Sequence, residues 1–121
     1  MRSFHESKFI KVPLGFQLEL KKIPSPQALN RLLSKSSGEI HPPQKLLEAL
    51  KNSYCNISII EIKSGSLFGF VRITSDQGLN ANLWDLAAEP GEYQKQFFYI
   101  LINRALTIIR RELPGCSISL A

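Results

Sequence analysis

Between Asp85 and Leu113 the chain reads DLAAEPGEYQKQFFYILINRALTIIRREL, an apolar segment ending at Pro90 that runs straight into a long amphipathic helix. Such a junction can hold a phosphate. The first turn of a helix has N–H groups with no intrahelical acceptor and a partial positive charge, worth roughly 0.3–1 kcal/mol per charge interaction. Gln94 and Lys95 stand where they would add donors, and Gln96, Phe97, Phe98 and Tyr99 complete the opening of the helix with no glycine after Gly91. Phe97 lies on the apolar stripe of that helix and is expected to pack inward; Tyr99 falls off the stripe.

Other reactive side chains make no pattern of their own. Cys55 and Cys116 form neither a disulfide framework nor a zinc motif and are read as small apolar residues. His5 and His41 lie far apart, one near a terminus and one beside proline, and are expected at the surface; no metal site is expected. Charge separates the halves of the chain. Residues 1–63 hold ten Lys or Arg against five Glu, whereas the remainder is balanced at five against five, giving the formal +5. The lysines are scattered and do not interleave with aromatics as a single-strand binder requires. A solvated basic surface, with no nucleic-acid partner, is the expectation.

The elements that must position these residues follow from periodicity. Residues 1–13 carry little pattern and are read as an N-terminal arm, with a single domain over 14–121, a length able to bury about two thirds of its unfolded surface. Phe16, Leu18 and Leu20 alternate with polar residues as in a half-buried strand. Two short helices follow, the first with Ser25 as N-cap, Pro26 at the first helical position, and Ala28, Leu29, Leu32 and Leu33 on one stripe; the second carries Leu46, Leu47 and Leu50. The segments NISIIEIK and SLFGFVRITSD, joined by a Lys63–Ser66 turn, predict an antiparallel pair, and ANLWDLAAEP a third strand. The long helix over 91–113 presents Phe97, Leu101, Ala105 and Ile108 on one line and Phe98, Ile102, Ala105 and Ile109 on the next. Pro114-Gly115 ends it, and CSISLA is a last short strand, reached by a parallel crossover. No apolar run is long enough to span a bilayer and no signal-peptide core precedes the domain, so the cytoplasm is the expected compartment, with no membrane partner.

This order, and the segment LWDLAAEPGEYQKQFFYILINRAL above all, resembles the GCN5-related N-acetyltransferase (GNAT) superfamily over residues 14–121. The resemblance implies an α+β fold with a central mixed, mostly antiparallel sheet flanked by helices. It implies that the fourth and fifth strands splay to admit acetyl-CoA as cosubstrate. On that reading the backbone of Leu86, Ala87 and Ala88 pairs with pantetheine, and Gln94, Lys95, Gln96, Phe97, Phe98 and Tyr99 surround the pyrophosphate. Gln94 matches the first position of the family's loop; Phe97 and Tyr99 stand where it carries small residues. Family members use a carboxylate on the central strands to take the proton of the acceptor amine. Asp85 and Asp76 are the candidates, and Asp85, inside an apolar strand, is the one that burial turns into a base. Asn80, Asn82 and Trp84 would shape the acceptor pocket. Against the family's full pattern the chain is short by a last helix and two strands, so the domain is expected to be incomplete at its C-terminus.

The function expected is transfer of an acetyl group from acetyl-CoA to a primary amine of a small molecule or peptide, by direct attack in a ternary complex. The alternative is a degenerate or truncated module of the same fold, acting in binding or assembly. An open edge at CSISLA would favour a homodimer.

Overall fold

The computed structural model describes residues 11–121. Most of the N-terminal arm, and His5 with it, therefore lies outside the described residues. Strand β1 (Phe16–Leu20) leads into helices α1 (Pro26–Ser36) and α2 (Pro43–Asn52); strands β2 (Cys55–Glu61), β3 (Leu67–Ser75) and β4 (Asn80–Ala88) follow, then helix α3 (Gln94–Glu112) and strand β5 (Ser117–Leu120). Among these elements no helix is long and apolar enough to cross a membrane.

The five strands form one sheet in the order β1-β2-β3-β4-β5. The first three pairings are antiparallel, and α3 carries the chain across to a parallel β4–β5 pair. The α+β class and the flanking helices agree with expectation. On one face α3 buries Phe97, Ile100, Leu101, Ala105, Ile108 and Ile109 against Ile57, Ile59, Val71, Ile73, Ala81 and Leu83. On the other face, Leu29, Leu32 and Leu33 of α1 and Leu46 and Leu50 of α2 close over Leu67, Phe70 and Ala87. Helix α1 starts as its sequence dictates: the Ser25 side chain accepts the Ala28 N–H at 3.1 Å, and Pro26 fills the first position, where no donor is needed.

Two details of the periodic reading change. Leu20 is 41% exposed at the end of β1, because the strand runs out before its third apolar residue reaches cover. In α3 the second buried line is Ile100 with Ile109; Phe98 and Ile102 are only partly buried and turn to the outer flank of the helix. The helix also begins at Gln94, leaving Gly91 to Tyr93 as a turn, with Gly91 at φ 144°, a conformation L side chains avoid.

Candidate functional site

Strand β5 pairs with β4 only over Asn80–Leu83, and the last bond of that ladder runs from the Ala121 N–H to the Leu83 carbonyl at 2.9 Å. From Trp84 to Ala88, β4 keeps β3 on one side and, among the described residues, has no strand on the other. The β3–β4 pairing carries a bulge. Phe70 faces Ala87 and Arg72 faces Trp84, so Asp85 and Leu86 together oppose Val71. Asp85 takes the left-handed conformation there, φ 56°, which Asp tolerates better than most side chains.

The bulge also switches faces. Ala81 and Leu83 point to α3, whereas Ala87 joins the α1–α2 core and Ala88 returns to the α3 side. Leu86 is half-buried against the α3 core. The main chain of Ala88 is already engaged: its N–H donates to Ser36 Oγ at 3.2 Å, and its carbonyl accepts from Gln94 Nε2 at 3.1 Å. By the alternation of a strand, Leu86 directs its own peptide groups to that same open side.

Helix α3 begins immediately beyond. Its N-cap, Tyr93, makes no side-chain capping bond and its first turn holds no acidic residue. Phe97 N–H donates to the Tyr93 carbonyl and Gln94 N–H weakly to Gly91, but among the described residues the N–H groups of Lys95 and Gln96 find no backbone acceptor. Two unfilled donors, the positive end of a 19-residue helix and the exposed Lys95 together form an anion-ready surface. Phe97 does not obstruct it. That ring is 1% exposed and stacks among Phe16, Phe68 and Tyr93, with centroids 5.0, 6.5 and 5.7 Å away. Tyr99, 54% exposed, lines an open groove of about 610 Å³ with Glu92, Lys95, Gln96, Phe98 and Ile102. The groove follows the outer flank of α3; no β4 residue lines it.

On the opposite face of β4, Asn80, Asn82 and Trp84 form a row. Asn80 is exposed, Asn82 accepts a short hydrogen bond from Ser119 of β5, and Trp84 donates through Nε1 to Thr74 Oγ1 at 2.7 Å. The Arg72 guanidinium lies over the Trp84 ring at 5.6 Å. Arg72 reaches past the ring to Asp85, whose Oδ2 accepts from Nε at 2.9 Å. The Asp85 side chain is 8% exposed, and its second oxygen faces His41 Nε2 at 3.5 Å. Asp76 serves the fold instead, because its Oδ1 accepts the N–H groups of Gly78, Leu79 and Asn80 and so pins the β3–β4 turn. Sequence reasoning singled out Asp85 and passed over Arg72 and His41. Neither has a local signal, because they come from β3 and from the α1–α2 loop, 13 and 44 positions away.

Glu39, His41 and Asp85 each place a ligand atom within 4.8 Å of the others, a spacing a metal ion could use. Arg72 already balances the Asp85 charge, and Glu39 is exposed. The cluster is better suited to moving a proton than to holding a cation.

The comparisons with known proteins agree with this geometry. No protein-family profile matches the chain. It is 34% identical over 100 residues to a Glycine max protein named histone acetyltransferase TAP1, and 47% identical over 61 residues to the uncharacterized N-acetyltransferase ycf52 of Pyropia yezoensis. Those alignments span 43% and 35% of the two relatives, so the chain matches less than half the length of each. In three dimensions it superposes on a GNAT family acetyltransferase from Streptococcus pneumoniae with a TM-score of 0.68, covering 88% of this chain and 74% of the other at 17% identity, a likeness of fold. With an uncapped helix directly after a bulged fourth strand, the chain has the fold of GNAT family acetyltransferases and is similar in sequence to proteins named as acetyltransferases.

Proposed function

We propose that the chain transfers an acetyl group from acetyl-CoA to a primary amine, by direct attack of the amine on the thioester in a ternary complex. The observation that carries this reading is the pair of unfilled N–H groups of Lys95 and Gln96 at the start of α3, which follows directly on the bulged end of β4. The residues present fit the cosubstrate. On this reading the peptide groups of Leu86 and Ala88 in β4 would meet the amides of pantetheine, with Ala87 supporting them from the core. Gln94, Lys95 and Gln96 would meet the pyrophosphate. Phe97 and Phe98 contribute packing beneath it, and Tyr99 sits at its flank. Ser36 and Gln94 now satisfy Ala88, so the strand edge is held ready by two side chains that a ligand's amide can replace bond for bond.

When bound, the thioester supplies an activated carbonyl, and the chain's own residues orient the pieces. On this reading Asn80, Asn82 and Trp84 would contact the acceptor, a small molecule or peptide. The soybean relative's name makes protein amines the first acceptors to try. The expected compartment of action is the cytoplasm.

Acetyl-CoA should raise the melting temperature by mass action. A hundredfold excess over Kd corresponds to about 2.7 kcal/mol and a rise of roughly 10 °C for a domain of this size. Lys95→Glu, which reverses the charge at the helix start, should cut affinity about fivefold or more. No shift at millimolar acetyl-CoA would sink the proposal.

A second reading is supported by β5, all four residues of which are exposed. There the chain is a binding or assembly module that pairs through its edge, as a homodimer, without catalysis. It predicts self-association with no response to acetyl-CoA.

A further inference from the structure

The α1–α2 connection holds His41 in place. Asn30 clamps its main chain in both directions, with Nδ2 donating to the His41 carbonyl at 2.8 Å and the His41 N–H donating to Oδ1 at 3.0 Å; Pro42 and Pro43 follow. The imidazole edge is thereby turned to the β4 bulge. Its Nε2 is buried and has no hydrogen-bond partner, yet it stands 3.5 Å from Asp85 Oδ1. Asp85 is itself fixed twice, by its left-handed backbone and by Arg72 on Oδ2. Arg72 is held in turn by Ser53 Oγ at 3.3 Å and by the Trp84 ring.

A carboxylate facing one imidazole nitrogen keeps the proton on that nitrogen and leaves the other basic. The His41 side chain is 38% exposed, so part of the ring reaches solvent. Asp85 has neither opening: one oxygen is committed to Arg72 and the other is screened by the ring.

We infer that His41 is the residue that takes the proton from the acceptor amine, through Nδ1, and that Asp85 is a positioning residue that sets its tautomer. The inference rests on the acetyltransfer reading. An acceptor arriving as an ammonium gives one proton to His41 Nδ1, which returns it to solvent. The freed nitrogen attacks the carbonyl carbon, the N–C bond forms and the C–S bond breaks. The second nitrogen proton goes to the departing thiolate, leaving an amide and a thiol. The charged groups that face His41 are Asp85 from β4, Arg72 behind it from β3, and Glu39 from its own loop. Their combined effect keeps a carboxylate against Nε2 and a compensating guanidinium beyond it.

Two measurements test the assignment. Nitrogen-15 NMR of the histidines, assigned with His5→Gln, should show neutral His41 protonated on Nε2, and Asp85→Asn should abolish that preference; Asn accepts the same left-handed backbone. A proton on Nδ1, or an averaged imidazole, overturns the pair. In transfer assays with acetyl-CoA and either 2-phenylethylamine or a lysine-bearing peptide, His41→Ala should lower kcat about 10²–10⁴-fold. The KM for acetyl-CoA and its thermal shift should stay unchanged. The residual rate should climb with pH as free amine replaces ammonium. Unchanged kcat in His41→Ala, or a wild-type rate that chelators remove and zinc restores, overturns the role. Wild-type protein that neither binds acetyl-CoA nor transfers to either amine overturns the acetyltransfer reading itself, while the NMR result still decides whether the pair exists.

Discussion

At the residue scale, one spacing gives opposite fates to two aromatic rings. Phe97 belongs to a packed cluster of four rings, so Phe97→Ala should cost about 3–5 kcal/mol. Tyr99→Ala, at a half-exposed position, should stay within about 0.5 kcal/mol in urea denaturation while altering the groove at the helix start. Equal losses in the two variants would show that the stripe is misassigned. Helical period made this legible for Phe97 and Tyr99, because both lie on one element whose inward direction is set by its neighbours. The carboxylates were harder to tell apart. Asp76 and Asp85 look alike in a string of letters, but three backbone N–H groups hold Asp76 down from 3.8 to about 2, chief among them that of Asn80. A carboxyl whose folded value lies below its unfolded one stabilises the fold above the unfolded value and stops doing so as pH falls. The turn's contribution should therefore be complete above about pH 4 and vanish toward pH 2. Asp76→Ala should flatten the stability profile in that window and nowhere else, as measured by denaturation at a series of pH values.

Elements come together at Gly69, on β3. A Cβ there would lie 3.1 Å from Ile59 Cδ1 and 3.2 Å from Leu101 Cδ1, so the absent side chain lets β2, β3 and α3 approach. Gly69→Ala should destabilise by about 1–3 kcal/mol. Ile59→Val, which deletes the Cδ1 methyl, should cost less in that background than in wild type; strict additivity in the double-mutant cycle would refute the close approach. The order of elements was readable because each has its own period and its own punctuation: Ser25-Pro26, Pro42-Pro43, Pro114-Gly115. The bulge in β4 was not. NANLWDLAA alternates well enough to pass for a plain strand, and the two residues opposite Val71 show only once β3 is laid beside it. The same holds for the caps on Ala88. Ser36 is 52 positions away, and no local rule links a helix C-terminus to a distant strand edge.

At the scale of the whole molecule, the two faces of the sheet are covered unequally. Helices α1 and α2 shield Phe70 and Ala87, α3 shields the reverse face, and neither extends over β5. Ile118 and Leu120 remain 37% and 62% exposed on a strand whose outer side, among the described residues, has no partner. Unpaired N–H and C=O groups beside exposed apolar side chains favour pairing with another strand, and the net charge of +5 opposes it only weakly once salt screens beyond about 8–10 Å. On the edge-pairing reading the protein should self-associate, its sedimentation coefficient rising with concentration and more steeply at high salt, where repulsion is screened and apolar contact is not. Leu120→Lys places a charge on the edge and should hold the protein monomeric without moving its melting temperature by more than a degree or two, since that side chain contributes little to the core. On the acetyltransfer reading, pairing at the outer edge of β5 lies away from the start of α3, so acetyl-CoA should produce the same thermal shift in monomer and dimer. A single monomeric boundary at every concentration would remove edge pairing from the account; a shift lost on dimerisation would mean that the second copy covers the acetyl-CoA site.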